Sequence, residues 1–164
     1  MLLNEILLEL ANTSYPYELV SNETHMLSQE WTYKFTSKET ENPVEYKVQL
    51  ELRNDNHLLI FSFGAKTDTK TIQLYNQWKD DITNTGDAFK VFSTVLAILK
   101  DCLKRIDKEK LKIEIIEFAA DTGEPSRVKL YSRFADNIGK YLPGWKLFKA
   151  KNGPRYLNFR FTKV

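Results

Sequence analysis

Between Thr85 and Ala135 the hydrophobic pattern changes period twice, and this constrains the fold more than any other stretch. Ala88, Val91, Phe92, Val95, Ile98, Leu99, Cys102 and Ile106 recur at i, i+3, i+4 and i+7, a wide apolar stripe on a long helix. Thr85 or Asp87 can cap its start. In KIEIIEFAA, which follows, Ile113, Ile115, Ile116 and Phe118 cover both faces, as an interior strand requires. Gly123 and Pro125 punctuate the chain, and Pro125 suits the first turn of a second helix. The stripe of that helix is Val128, Leu130, Tyr131, Phe134, Ile138 and Tyr141, and Pro143-Gly144 stops it.

The flanking segments read mostly as strands. Val44, Tyr46, Val48, Leu50 and Leu52 alternate with charged or polar partners, so this strand buries one face and shows water the other. Residues 31–36 alternate similarly, LLIFSFGA is apolar on both faces, and TIQLYNQW is a fourth candidate. Asn54-Asp55-Asn56 is a turn signal. WKLFKAK and RYLNFRFTKV form a closing hairpin around Asn152-Gly153-Pro154. Leu3, Ile6, Leu7, Leu10 and Ala11 predict a short N-terminal helix over 2–12, ended by Tyr15-Pro16. The polar run 21–30 reads as loop. The expectation is a single α+β domain over 1–164: a mixed, mainly antiparallel twisted sheet of about seven strands, two main helices and a short N-terminal one.

Composition narrows the function classes. One cysteine, Cys102, excludes an internal disulfide framework and fits a reducing compartment. The apolar N-terminus carries Glu5 and Glu9 and lacks a basic flank, and no apolar run approaches the ~20 residues needed to cross a bilayer. A cytoplasmic protein is the expectation. Two histidines (His25 and His57) and one cysteine do not make a zinc site of the usual kinds, so no metal is expected. No Walker loop, dinucleotide fingerprint or nucleophile elbow is present. Residues 123–164 hold ten Lys or Arg against Glu124 and Asp136, a local net of +8; with +2 for the whole chain, residues 1–122 carry −6. Such asymmetry marks an anion-binding face, or else charges that intermix once the chain folds.

The element order, with Gly86-x-Ala88 at the helix start and Leu130-Tyr131 in the second helix, resembles the GNAT acetyltransferase superfamily. That family places a meander first, then a helix whose N-terminus receives the pyrophosphate of acetyl-CoA, then a strand, a second helix and a hairpin. Unpaired N–H groups and the helix dipole make such an end a phosphate site. The family's phosphate loop is Gln/Arg-x-x-Gly-x-Gly/Ala; here Thr83 replaces the Gln or Arg, and Asp87 puts a carboxylate inside the loop. Its Asn-x-x-Ala-x-x-Leu-Tyr signature retains Leu130-Tyr131, with Glu124 for Asn, Arg127 for Ala, and no Gly-Phe after it. TGDAFKVFSTV with SRVKLYSRFA also resembles uncharacterised bacteriophage-encoded proteins.

The resemblance implies an acyl-CoA-dependent N-acyltransferase, with acetyl-CoA as cofactor and an amine as acceptor. Tyr131 takes the general-acid position, and Glu117, Asp121 or Glu124 deprotonates the amine. Thr85, Gly86, Ala88, Lys90 and Arg127 are the candidate cofactor contacts. Each has a structural alternative: a packed helix tyrosine, turn carboxylates, a plain helix start, a solvated charged face. A second reading is a non-catalytic binding module that contacts nucleic acid or an acidic protein through Lys146, Lys149, Lys151 and Arg155. In the hairpin, alternation sends Leu157, Phe159 and Phe161 to the core and leaves a basic outer face. A third reading is a structural or assembly role.

Overall fold

The computed structural model describes residues 14–37, 43–65, 88–121, 132, 135–152 and 156–164. Four strands come first: β1 (Tyr17–Thr24), β2 (Ser28–Ser37), β3 (Val44–Arg53) and β4 (Leu58–Ala65). Helix α1 (Ala88–Lys108) leads to β5 (Ile115–Asp121), the short helix α2 (Ile138–Tyr141), and the hairpin β6 (Trp145–Asn152) and β7 (Tyr156–Lys163). Ser132, Ala135 and Asp136 are helical as well. The strands form one sheet in the order β1-β2-β3-β4-β5-β7-β6, antiparallel throughout except between β4 and β5. A parallel pair needs a long crossover, and α1 supplies it.

Register shows which residues share a face. Phe35, Tyr46 and Ala65 stand in one row; Tyr33, Val48 and Phe63 in the next; then Trp31, Leu50 and Phe61; then Gln29, Leu52 and Leu59. The row of Leu59 continues through Ile116 to Phe161. The large apolar members of these rows are almost fully buried and form one core with Val91, Val95, Ile98, Leu99, Cys102 and Ile106 of α1. The other face carries Lys34, Glu45, Lys47, Gln49, Glu51 and Arg160.

Helix α1 lies across the first face in a defined direction. The Tyr15 N–H donates to Thr94 Oγ1 at 2.9 Å, and the Tyr15 ring stacks on Phe35, in the row of Ala65. The Tyr33 hydroxyl donates to Asp101 Oδ2 at 2.8 Å, and Gln29 Nε2 donates to Glu109 Oε2 at 3.1 Å. The start of α1 therefore sits at the carboxyl end of β4, and its last turn at the opposite end. It ends in a Schellman motif: Leu111 N–H reaches the Ile106 carbonyl and Lys110 N–H the Asp107 carbonyl, both at 3.0 Å. Lys110 takes the left-handed position at φ 58°.

The described residues form seven strands, the expected number, with one difference in where they lie. Residues 21–30, expected as loop, belong to β1 and the start of β2, joined by a tight hairpin in which His25 N–H donates to the Ser28 carbonyl at 2.8 Å. β1 is the outermost strand, so it forms ladder hydrogen bonds while leaving polar side chains in water, and hydropathy does not mark it. The TIQLYNQW strand, the 2–12 helix, the Thr85 or Asp87 cap and the stripe positions 128–131 and 134 lie outside the described residues. The Pro143-Gly144 stop is a β-turn: Trp145 N–H donates to the Leu142 carbonyl at 3.1 Å, and Gly144 has φ 91°.

Candidate functional site

The parallel pair at the sheet centre is short. β4 and β5 are joined through Leu58↔Ile115, Leu59↔Ile116 and Ile60↔Glu117, and the ladder ends there. Both strands continue, β4 to Ala65 and β5 to Asp121, and each keeps its outer neighbour along the way: β3 pairs with β4 through Ala65, and β7 with β5 through Asp121. The sheet therefore opens between Phe61–Ala65 and Phe118–Asp121. The pair is anchored at its other end by the His57 carbonyl, which accepts from Glu114 N–H at 2.9 Å and Ile115 N–H at 3.3 Å. His57 sits at φ 54° to present that carbonyl.

The opening lies at the carboxyl ends of parallel strands, where open sheets of this kind bind ligands. It shares that end of the sheet with the start of α1, and the dipole of a helix favours anions at its N-terminus. Its α1-side floor is aromatic: Phe61 and Phe118 rings meet at 4.9 Å, and Phe118 packs on Phe159 at 5.0 Å.

Glu117 occupies the last paired position, at the mouth of the opening, with its carboxylate one-fifth exposed and ion-paired to Arg160 Nε at 2.6 Å. A guanidinium across the strand holds this carboxylate in a fixed position. Lys90, in the first turn of α1, places its Nζ 4.5 Å from the centre of the Tyr15 ring, a cation–π contact that holds the side chain at that end of the helix. Ala88 opens α1. Tyr131, Glu124, Thr85, Gly86 and Arg127 lie outside the described residues. Asp121 closes β5, paired with Tyr156 at the far end of the opening, so Glu117, Asp121, Ala88 and Lys90 are the candidate site residues whose backbone positions the structure gives.

On the basic C-terminal hairpin, Lys146 is exposed, Lys149 and Lys151 lie on β6, and Arg155 is outside the described residues. Phe159 and Phe161 are buried, while Asn158 and Arg160 are more exposed, as alternation requires.

Two clusters went unread in the sequence. Asp101 Oδ2 accepts from both Tyr33 and Arg105, the latter at 3.0 Å; burial and the Asp101 carboxylate raise the Tyr33 phenol well above its ordinary value. The spacing of Asp101 and Arg105 at i, i+4 was the available signal, but Tyr33 is far away in sequence. At the β1–β2 hairpin tip, Glu23 and Glu30 stand directly opposite each other, and His25 Nε2 lies 3.6 Å and 3.3 Å from their carboxylates. This is the one group of potential metal ligands that comes together among the described residues, and it is exposed. Cys102 is fully buried in the α1 stripe, and burial, then Asp101, raises its thiol far above the ordinary range.

Among the described residues no helix is long and apolar enough to cross a membrane. No family model, curated protein or solved structure matches the chain.

Proposed function

We propose that the chain is a GNAT-like acyl-CoA-dependent N-acyltransferase domain whose cofactor enters the opening between β4 and β5. The observation that supports this most is the three-pair parallel ladder that ends where both strands continue, at the same end of the sheet as the start of α1. A thioester inserted there meets strand backbone groups released from the central ladder, and its phosphates meet the helix N-terminus. Thr85, Gly86, Ala88, Lys90 and Arg127 are the residues assigned to hold it. The residues given by the structure fit such a group: an aromatic floor for the acyl and pantetheine portion, a lysine in the first turn of α1, and a carboxylate at the mouth.

In this reading the acceptor amine loses its proton to Glu117 or Glu124 and attacks the thioester carbonyl. The carbon–sulfur bond breaks, and Tyr131 protonates the departing thiolate. The Arg160 partner fixes where the Glu117 carboxylate stands at the mouth of the opening. Phage origin follows only from the sequence likeness and bears on none of these steps.

Calorimetric titration with acetyl-CoA at millimolar concentration tests the proposal. Saturable heat is expected, reduced on Lys90→Ala and Arg127→Ala substitution. Absence of heat at that concentration excludes the catalytic reading.

A further inference from the structure

The edge strand β6 contains a β-bulge that the core does not need. Lys146 pairs with Thr162 and Leu147 with Phe161, but the next pair is Lys149↔Arg160, followed by Ala150↔Phe159 and Lys151↔Asn158. Phe148 is the extra residue. Simple alternation would put Lys149 and Lys151 on the face of Trp145 and Leu147, which packs against the core. The bulge inverts the parity, so Lys149 and Lys151 take register positions beside Arg160 and Asn158, on the same outer face as Lys146 and Thr162. It also leaves the Phe148 side chain 65% exposed.

A bulge of this kind re-aims side chains and interrupts the regular edge array, so it disfavours an added strand along β6. What it brings together is an exposed ring at Phe148 and lysines at the outer-face register positions 146, 149 and 151. Rings that stack bases and cations that hold phosphates are the two components of sequence-tolerant single-strand binding. Arg160 contributes less, being engaged by Glu117. Lys146 has no ion-pair partner among the described residues.

We propose that the outer face of the β6–β7 hairpin binds single-stranded nucleic acid, with Phe148 stacking on a base and Lys146, Lys149 and Lys151 meeting successive phosphates. The surface adjoins the β4–β5 opening through the Arg160–Glu117 pair but rests on different residues, Phe148 and the β6 lysines, so this proposal and the acyltransferase reading are tested separately.

Fluorescence anisotropy with labelled oligo(dT) of 20 nucleotides, between 50 and 200 mM salt, reads it directly. Binding is expected, with log K falling against log salt at a slope of about −2 for three phosphate contacts. Phe148→Ala should weaken affinity roughly 5- to 150-fold with the slope unchanged. Phe148→Trp should retain it, and this keeps the test decisive if the alanine variant folds poorly. Replacing Lys149 and Lys151 with Gln should flatten the slope by about 1.4. No binding at 50 mM salt overturns the proposal. So does equal affinity of wild type and Phe148→Ala, or a labelled poly-glutamate peptide binding as tightly as the oligonucleotide; the last result would assign the face to an acidic protein instead.

Discussion

Deleting Phe148 outright is the most discriminating perturbation of the hairpin. Removal of one residue from the middle of a strand ordinarily slips the register and turns half its side chains to the wrong face. Here the deletion does the reverse. Leu147↔Phe161 and Lys149↔Arg160 become consecutive pairs, and every other partnership along β6 and β7 is retained. The cost is the buried third of one phenylalanine surface, below about 1 kcal/mol. The gain is a regular ladder in place of a bulge, up to about 1 kcal/mol for a restored hydrogen bond. The net change is therefore within about 1 kcal/mol, a shift of no more than ~4 °C in Tm for a chain of this size. Deleting Val48 is the contrast: it slips β3 against both β2 and β4 at positions where Tyr46, Leu50 and Leu52 are buried, and should abolish folding. Urea unfolding followed by circular dichroism reads both. A loss above ~3 kcal/mol on deleting Phe148, in a protein where Phe148→Ala folds normally, would refute the bulge and everything built on its parity.

The remaining predictions concern the scaffold. Tyr33→Phe removes a hydrogen bond to a carboxylate while keeping the ring, and should cost about 1.5–2 kcal/mol in urea unfolding; Arg105→Ala should cost under about 1 kcal/mol, since it is a half-exposed pair. Both donors serve the same Asp101 oxygen, so the double variant should lose more than the sum. Lys110→Gly should stabilise by about 0.5–1 kcal/mol, because a lysine there holds a left-handed conformation that glycine adopts freely. Cys102 should ignore a thiol reagent until the protein unfolds. Its raised folded value also sets a sign: below pH 9, the ordinary value of the thiol, both states are protonated and nothing is lost. Above pH 9 the unfolded thiol ionises first, so stability should fall by about 1.4 kcal/mol per pH unit, and Cys102→Ala should remove that slope.

How much of this was legible depends on where the physical cause sits. The alternation of Val44–Arg53 and the stripe of α1 were readable because each element has one buried face, and burial writes its period into the sequence. β1 was not, because an edge strand is specified by the hydrogen bonds of its neighbour, and Val20, the residue skipped between Leu19 and Ser21 in the β1–β2 register, breaks its pattern. The opening between β4 and β5 left no trace in either strand, since a ladder between segments about fifty residues apart depends on backbone direction. Glu117 was readable as a carboxylate of an interior strand, but it stands third in β5 and not at its end; its Arg160 partner was not readable, and the contact of Lys90 with Tyr15 joins positions 75 residues apart. The bulge was partly legible. Lysines at 146, 149 and 151 cannot share a face with strict alternation, and a strand that keeps all three out of the core must carry one residue too many.

The central claim, that the interrupted parallel ladder is the seat of an acyl-CoA, is tested most directly by amide hydrogen exchange with and without acetyl-CoA. Protection should rise at Phe61–Ala65, at Phe118–Asp121 and in the first turn of α1, and stay unchanged along β1 and β6. Unaltered exchange on both sides of the opening at saturating acetyl-CoA, or protection confined to the β6–β7 hairpin, would contradict it.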